Sequence, residues 1–274
     1  MPVAPRTLAW GLLASSTLAL VGVCLQPPRP RAKPEGKSLQ AQTLAKKLPP
    51  LAALRMEPLG PVARPIAFVG VPIGATGSRP VHLVFPWRGS ARERCLTWRE
   101  VVGEGVFVLC PELPLVAPHP GEPSASRFPD VDALAARIRD SLRAAKARFG
   151  QYLDKGSITV AAEGEAAERA VQISRTEPSF FSRLLLLDGG YKAWSPVQVQ
   201  VFSERGGLRV GFVCKEGTGC GEGATHPVVV SRRFGIDARV SSVGAAVWGT
   251  PPALQGSFAW LVRDDLRFSV LKKP

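Results

Sequence analysis

Histidine is scarce in this chain, with only His82, His119 and His226 in 274 residues. That excludes a dense histidine metal site, and any histidine-dependent mechanism must use one of these three. Each reads as structural: His82 within an apolar strand, His119 between prolines, His226 at a helix start. Methionine and tyrosine are almost as rare, at two each. Acidic residues number 22 against 35 Lys and Arg, a formal net charge of +13. No internal repeat and no nucleic-acid motif accompanies that charge, so nucleic acid is not an expected partner. At 45% hydrophobic and 21% charged, the composition is too ordinary for a disordered chain and ample for a sizeable core.

The amino terminus carries the longest uncharged run. From Thr7 to Leu25 there are nineteen residues without a charge, preceded only by Arg6 and the amino group. As a helix this run reaches about 28 Å, close to a bilayer core of about 30 Å. Residues 1–26 are expected to be a signal sequence or membrane anchor that provides the chain's contact with a membrane. Cys24 raises the question of a lipid anchor, but Val23 before it is bulkier than the small residues such processing takes. Residues 27–60, rich in Pro, Lys and Ala, read as a basic tether that can lie along anionic headgroups. Arg29, Arg31, Lys33, Lys37, Lys46 and Lys47 follow the apolar run, and the positive-inside rule would keep them in the cytoplasm. The cysteines argue the other way, for an oxidising compartment and a cell-envelope location.

From about residue 61 onward the pattern is a single α/β domain, 61–274. Phe68–Val71 and Val81–Phe85 suit an antiparallel opening pair. Val106–Cys110, Ser157–Ala162, Leu184–Leu187, Val210–Cys214 and Asp237–Ser241 read as further strands. Val131, Leu134, Ile138, Leu142, Ala145 and Phe149 recur at helical steps, predicting a helix over 131–149 with an arginine-rich outer face from Arg137 to Arg148. Helices are also expected over Glu165–Ser174, from a cap at Thr225 through Phe234, and over Leu254–Val262. Continuous apolar strands separated by helices predict a mostly parallel sheet covered on both faces.

Beyond Cys24, four cysteines remain. Cys95–Cys110 and Cys214–Cys220 is the simplest of three possible pairings and fits export. A four-cysteine zinc site needs tighter spacing, and no metal or cofactor is implied.

Several local words in residues 65–265 resemble the α/β-hydrolase superfamily, in its small carboxylesterase or thioesterase branches. They are Phe107-Val108-Leu109-Cys110-Pro111, Leu184–Tyr191 followed by Trp194, Arg209–Cys214, and Trp260-Leu261-Val262. The resemblance implies a nucleophile on a sharp strand-to-helix turn flanked by small residues. The matching turn is Ala162-Glu163-Gly164-Glu165-Ala166, which keeps the small flanks and puts Gly164 where the nucleophile belongs. Ala245 stands where the resemblance implies the catalytic histidine. Phe85-Pro86 replaces the His-Gly pair of the oxyanion loop, and Pro86 has no N–H.

Glu163 and Glu165 flank the turn as candidate general acids or bases, or as solvated charges opening a helix. Ser157 reads as structural. Cys214 has only Lys215 nearby to support a thiolate, so a disulfide is the better reading. Three functions follow. The first is a non-catalytic, exported hydrolase-fold module that binds a small molecule or protein. The second is an atypical ester hydrolase with a relocated site. The third is a basic module for nucleic acid or acidic polymers.

Overall fold

Strands that are apolar at every position need cover on both faces, and the computed structural model supplies it. It describes residues 47–85, 90–113, 130–176 and 181–268. The apolar run 7–25 with Cys24, the tether through residue 46, Pro86 and His119 lie outside the described residues.

Eight strands form one sheet: β1 (Met56–Leu59), β2 (Ala67–Gly70), β3 (Val81–Phe85), β4 (Phe107–Pro111), β5 (Ile158–Glu163), β6 (Phe181–Leu187), β7 (Arg209–Lys215) and β8 (Asp237–Val243). Their spatial order is β1-β2-β4-β3-β5-β6-β7-β8. β2 alone runs against its neighbours β1 and β4, and every other pairing is parallel. All seven residues of β6 are buried, as its central place requires.

Six helices among the described residues flank the sheet. They are α1 (Ala91–Val102), α2 (Val131–Phe149), α3 (Glu165–Thr176), α4 (Pro196–Glu204), α5 (Cys220–Arg233) and α6 (Pro251–Leu261). On one face Cys95 and Trp98 of α1 pack with Leu254, Phe258 and Leu261 of α6. On the other, Leu134 and Ile138 of α2 join Ala166, Val171, Phe202 and Val228 from α3, α4 and α5. Asp130 caps α2 by accepting from Ala133 N at 2.7 Å. No helix among the described residues is long and apolar enough to cross a membrane.

The expected α/β architecture is present, with three differences. β2 and β3 are not an antiparallel pair, because β4 lies between them. All five residues of β3 are buried, and parallel neighbours on both sides, β4 and β5, provide the cover. The packed body also begins before residue 61. β1 pairs with β2, Leu51 and Leu59 are core residues, and Leu48 N donates to Thr76 O at 2.9 Å. The proline-rich stretch hid a strand of only four residues.

The third difference is that α5 starts at Cys220, not at Thr225, and carries Pro227 in its interior. Gly217 and Gly219 form the turn before this helix with φ 81° and 72°, whereas Gly223 inside it is there for space: a Cβ on it would sit 2.5 Å from the Tyr191 ring. The Thr225 hydroxyl donates back to Gly221 O at 3.1 Å as a mid-helix residue, not as a cap.

Both expected disulfides are closed. Cys95–Cys110 joins α1 to β4, and Cys214–Cys220 joins the end of β7 to the start of α5.

Candidate functional site

Ligands of open α/β sheets bind beyond the carboxyl ends of the strands, where β5 hands over to α3. The turn there is built as a nucleophile elbow. β5 ends at Glu163, α3 begins at Glu165, and Gly164 between them holds φ 58°. That left-handed conformation costs an L-residue roughly 1–2 kcal/mol, and glycine adopts it freely. Gly164 N donates to Leu187 O at 2.8 Å, and Ala167 N to Gly164 O at 3.1 Å. The turn after β6 presses on the same point, because a Cβ on Gly189 would overlap Gly164 O. Gly164 gives this turn its shape and brings no side chain to it.

Glu163, the last residue of β5, is tied through both carboxylate oxygens. Glu163 Oε2 pairs with Arg94 of α1 at 2.9 Å, and Glu163 Oε1 accepts from Trp248 Nε1 at 3.2 Å. Trp248 follows a short 3₁₀ turn at Ala245–Val247, which comes directly after β8. The cavity left among Val84, Phe85, Arg94, Trp98, Glu163 and Leu187 measures about 10 Å³. A single water needs about 10–15 Å³, so that cavity holds at most about one water.

The other strand ends are cross-tied as well. The Thr218 hydroxyl donates to Asp188 Oδ1 at 2.6 Å, and Asp188 is the one described non-glycine residue with positive φ, at 47°. Glu216 follows β7 and approaches Gly244, with Oε2 3.7 Å from where a Cβ on that glycine would stand. Ala245, the residue after Gly244, is exposed.

The remaining candidates fall as follows. Glu165 meets Arg169 at 3.5 Å on the first turn of α3, a half-buried helix pair. Ser157 lies at the opposite end of β5, bonded by Ser182 Oγ at 2.7 Å and, through its carbonyl, by Arg267 at 2.9 Å. Cys214 is spent in its disulfide. His226 is exposed on α5. His82 is fully buried on β3, with Nδ1 2.8 Å from Thr159 Oγ1 and its ring against Trp98 and Phe258. Burial pulls its pKa down to about 3, so it is neutral and structural. On the basic face of α2, Arg143 pairs with Asp140 and Arg148 with Glu57. Among the described residues no group of three or more His, Cys, Asp or Glu side chains could hold a metal ion.

Sequence reading missed Arg94, Trp248, Glu216 and the Asp188–Thr218 pair. Trp248 stood three residues after Ala245, and Asp188 opened the Asp-Gly-Gly word. Their roles come from loops that meet only in space.

No protein-family model matches the sequence, and no curated protein is detectably similar to it. Solved structures match the fold. An S-formylglutathione hydrolase from Staphylococcus aureus is 11% identical over 72% of this chain and 92% of its own, with a TM-score of 0.52. Est1E from Butyrivibrio proteoclasticus is 9% identical over 76% of this chain and 99% of its own, at 0.50. A thermostable esterase is 13% identical over 76% of this chain at 0.47, and this chain spans 62% of its length. The fold is that of the α/β-hydrolases.

Proposed function

We propose that this chain is an exported, membrane-tethered α/β-hydrolase-fold protein of the cell envelope that has lost ester hydrolysis and acts by binding a small molecule or a protein. The observation that carries the reading is Gly164 at φ 58° on an otherwise intact elbow. A nucleophile is absent where the backbone is still shaped to present one. The base position, Ala245, has no group to accept a proton. The Arg94–Glu163–Trp248 chain engages both oxygens of the carboxylate nearest Gly164, which supports a structural role for it. Two disulfides fit an oxidising compartment, and the apolar segment 7–25 supplies an export signal or tether.

The test is hydrolysis of short acyl nitrophenyl esters by the full chain. The expected rate equals that of the heat-denatured protein. Turnover abolished by Glu163→Gln or Glu165→Gln would establish the relocated-site enzyme instead. The names of the fold's neighbours make an ester the first substrate class to try.

A further inference from the structure

On the β2–β4 side of the elbow, still at the carboxyl end of β4, lies an open cavity of about 530 Å³. That is within the range of about 300–1,000 Å³ typical of small-molecule pockets. Three arginines from three separate elements line it: Arg64 from the β1–β2 turn, Arg92 from the first turn of α1 and Arg137 from α2. None of the three makes an ion pair among the described residues, whereas Arg94, Arg143 and Arg148 close by on the same helices are paired with carboxylates. One carboxylate, Glu112, shares the pocket, and Phe68 and Pro65 add an apolar wall.

Among the described residues lining this cavity, three guanidinium groups stand against one carboxylate, an excess of positive charge that attracts an anion. Burial pushes the Glu112 carboxyl above the ordinary range, and Arg137 opposes the rise. Guanidinium forks bind phosphate bidentately, and an apolar wall accepts the organic part of an ester.

We propose that the Arg64–Arg92–Arg137 pocket binds the phosphate group of a phosphomonoester, with Phe68 and Pro65 against its organic portion. This gives the binding role proposed above a ligand class, yet it stands on different residues. Ester turnover tests the elbow and phosphate binding tests the arginines, so either can fail alone.

The test is calorimetric titration of the full chain at low salt with phenyl phosphate. Saturable binding is expected. Arg92→Gln and Arg137→Gln should each weaken it roughly tenfold or more, the worth of one charged hydrogen-bond partner. Glu112→Gln should tighten it, a gain that misfolding cannot produce. Arg143→Gln, which removes the same charge from the paired outer face of α2, should leave it unchanged. Inorganic phosphate and dihexanoyl phosphatidic acid distinguish the sources. Tighter binding of the lipid than of phenyl phosphate assigns a lipid headgroup, and the reverse assigns a soluble ester. No saturation up to about 10 mM, or an equal loss in Arg143→Gln, would overturn the proposal.

Discussion

The Glu163 carboxylate holds Trp248 at 3.2 Å through one oxygen and Arg94 at 2.9 Å through the other. One acidic side chain at the tip of β5 thereby joins α1 to the segment after β8. Both of its oxygens are engaged, and the three residues form a clasp. The Glu163 side chain is 17% exposed and that of Arg94 27%, so the pair is partly shielded from water.

Removing the clasp should cost stability and not activity. Glu163→Ala leaves Arg94 and the Trp248 indole without their acceptor, a loss of about 1–3 kcal/mol. Thermal denaturation should fall by several degrees, while ester turnover stays at background.

Restoring a nucleophile alone should not restore catalysis. Gly164→Ser puts a hydroxyl on the elbow at φ 58°, at a cost of roughly 1–2 kcal/mol for a left-handed non-glycine residue. Ala245 still offers no base. The variant should melt a few degrees lower and remain silent toward short acyl esters, as read by calorimetry and turnover.

Acid should destabilise the fold through His82. Its pKa is lowered from 6.5 to about 3, so below pH 6.5 the unfolded chain takes up a proton that the folded chain refuses. Stability is complete above about pH 6.5 and falls as pH drops toward 3, by up to about 5 kcal/mol from this one group. Asp265 adds to the loss at lower pH. Burial alone would raise its carboxyl, but hydrogen bonds from Arg267 and the charges of Arg267 and Arg183 hold it below the usual value. Its contribution is present above the ordinary aspartate range and is lost as pH falls through the folded value. Urea denaturation from pH 8 to 4 checks the slope, and His82→Leu should flatten most of it.

Reduction should weaken the domain through both ends of the sheet. On loop-closure arithmetic, Cys95–Cys110, with a separation of 15, contributes about 3 kcal/mol and Cys214–Cys220, with a separation of 6, about 2 kcal/mol. A reductant should lower the melting temperature, and alkylation without reduction should leave all four of these cysteines unlabelled.

What could be read in the sequence was the part fixed by local pattern. The 3.6-residue apolar recurrence from Val131 to Phe149 gives α2 its observed limits. Apolar runs such as Leu184–Leu187 announce strands buried on both faces, and the elbow's flanks locate Gly164. The parts that stayed hidden depend on distant partners. β1 has four residues and becomes a strand only by pairing with β2. Pro227 lies inside α5, which is packed against β7 and β8, and Gly223 of that helix makes room for Tyr191. The clasp unites residues 94, 163 and 248, and the arginine pocket unites residues 64, 92 and 137, so neither leaves a spacing to find.

The most direct measurement of the central claim is intact mass of the full chain after exposure to a fluorophosphonate ester, with acylation of nitrophenyl acetate followed in parallel. The elbow as described predicts no adduct and no burst. A stoichiometric adduct mapped to any serine would contradict the account, because it would show an activated nucleophile where the fold presents only Gly164.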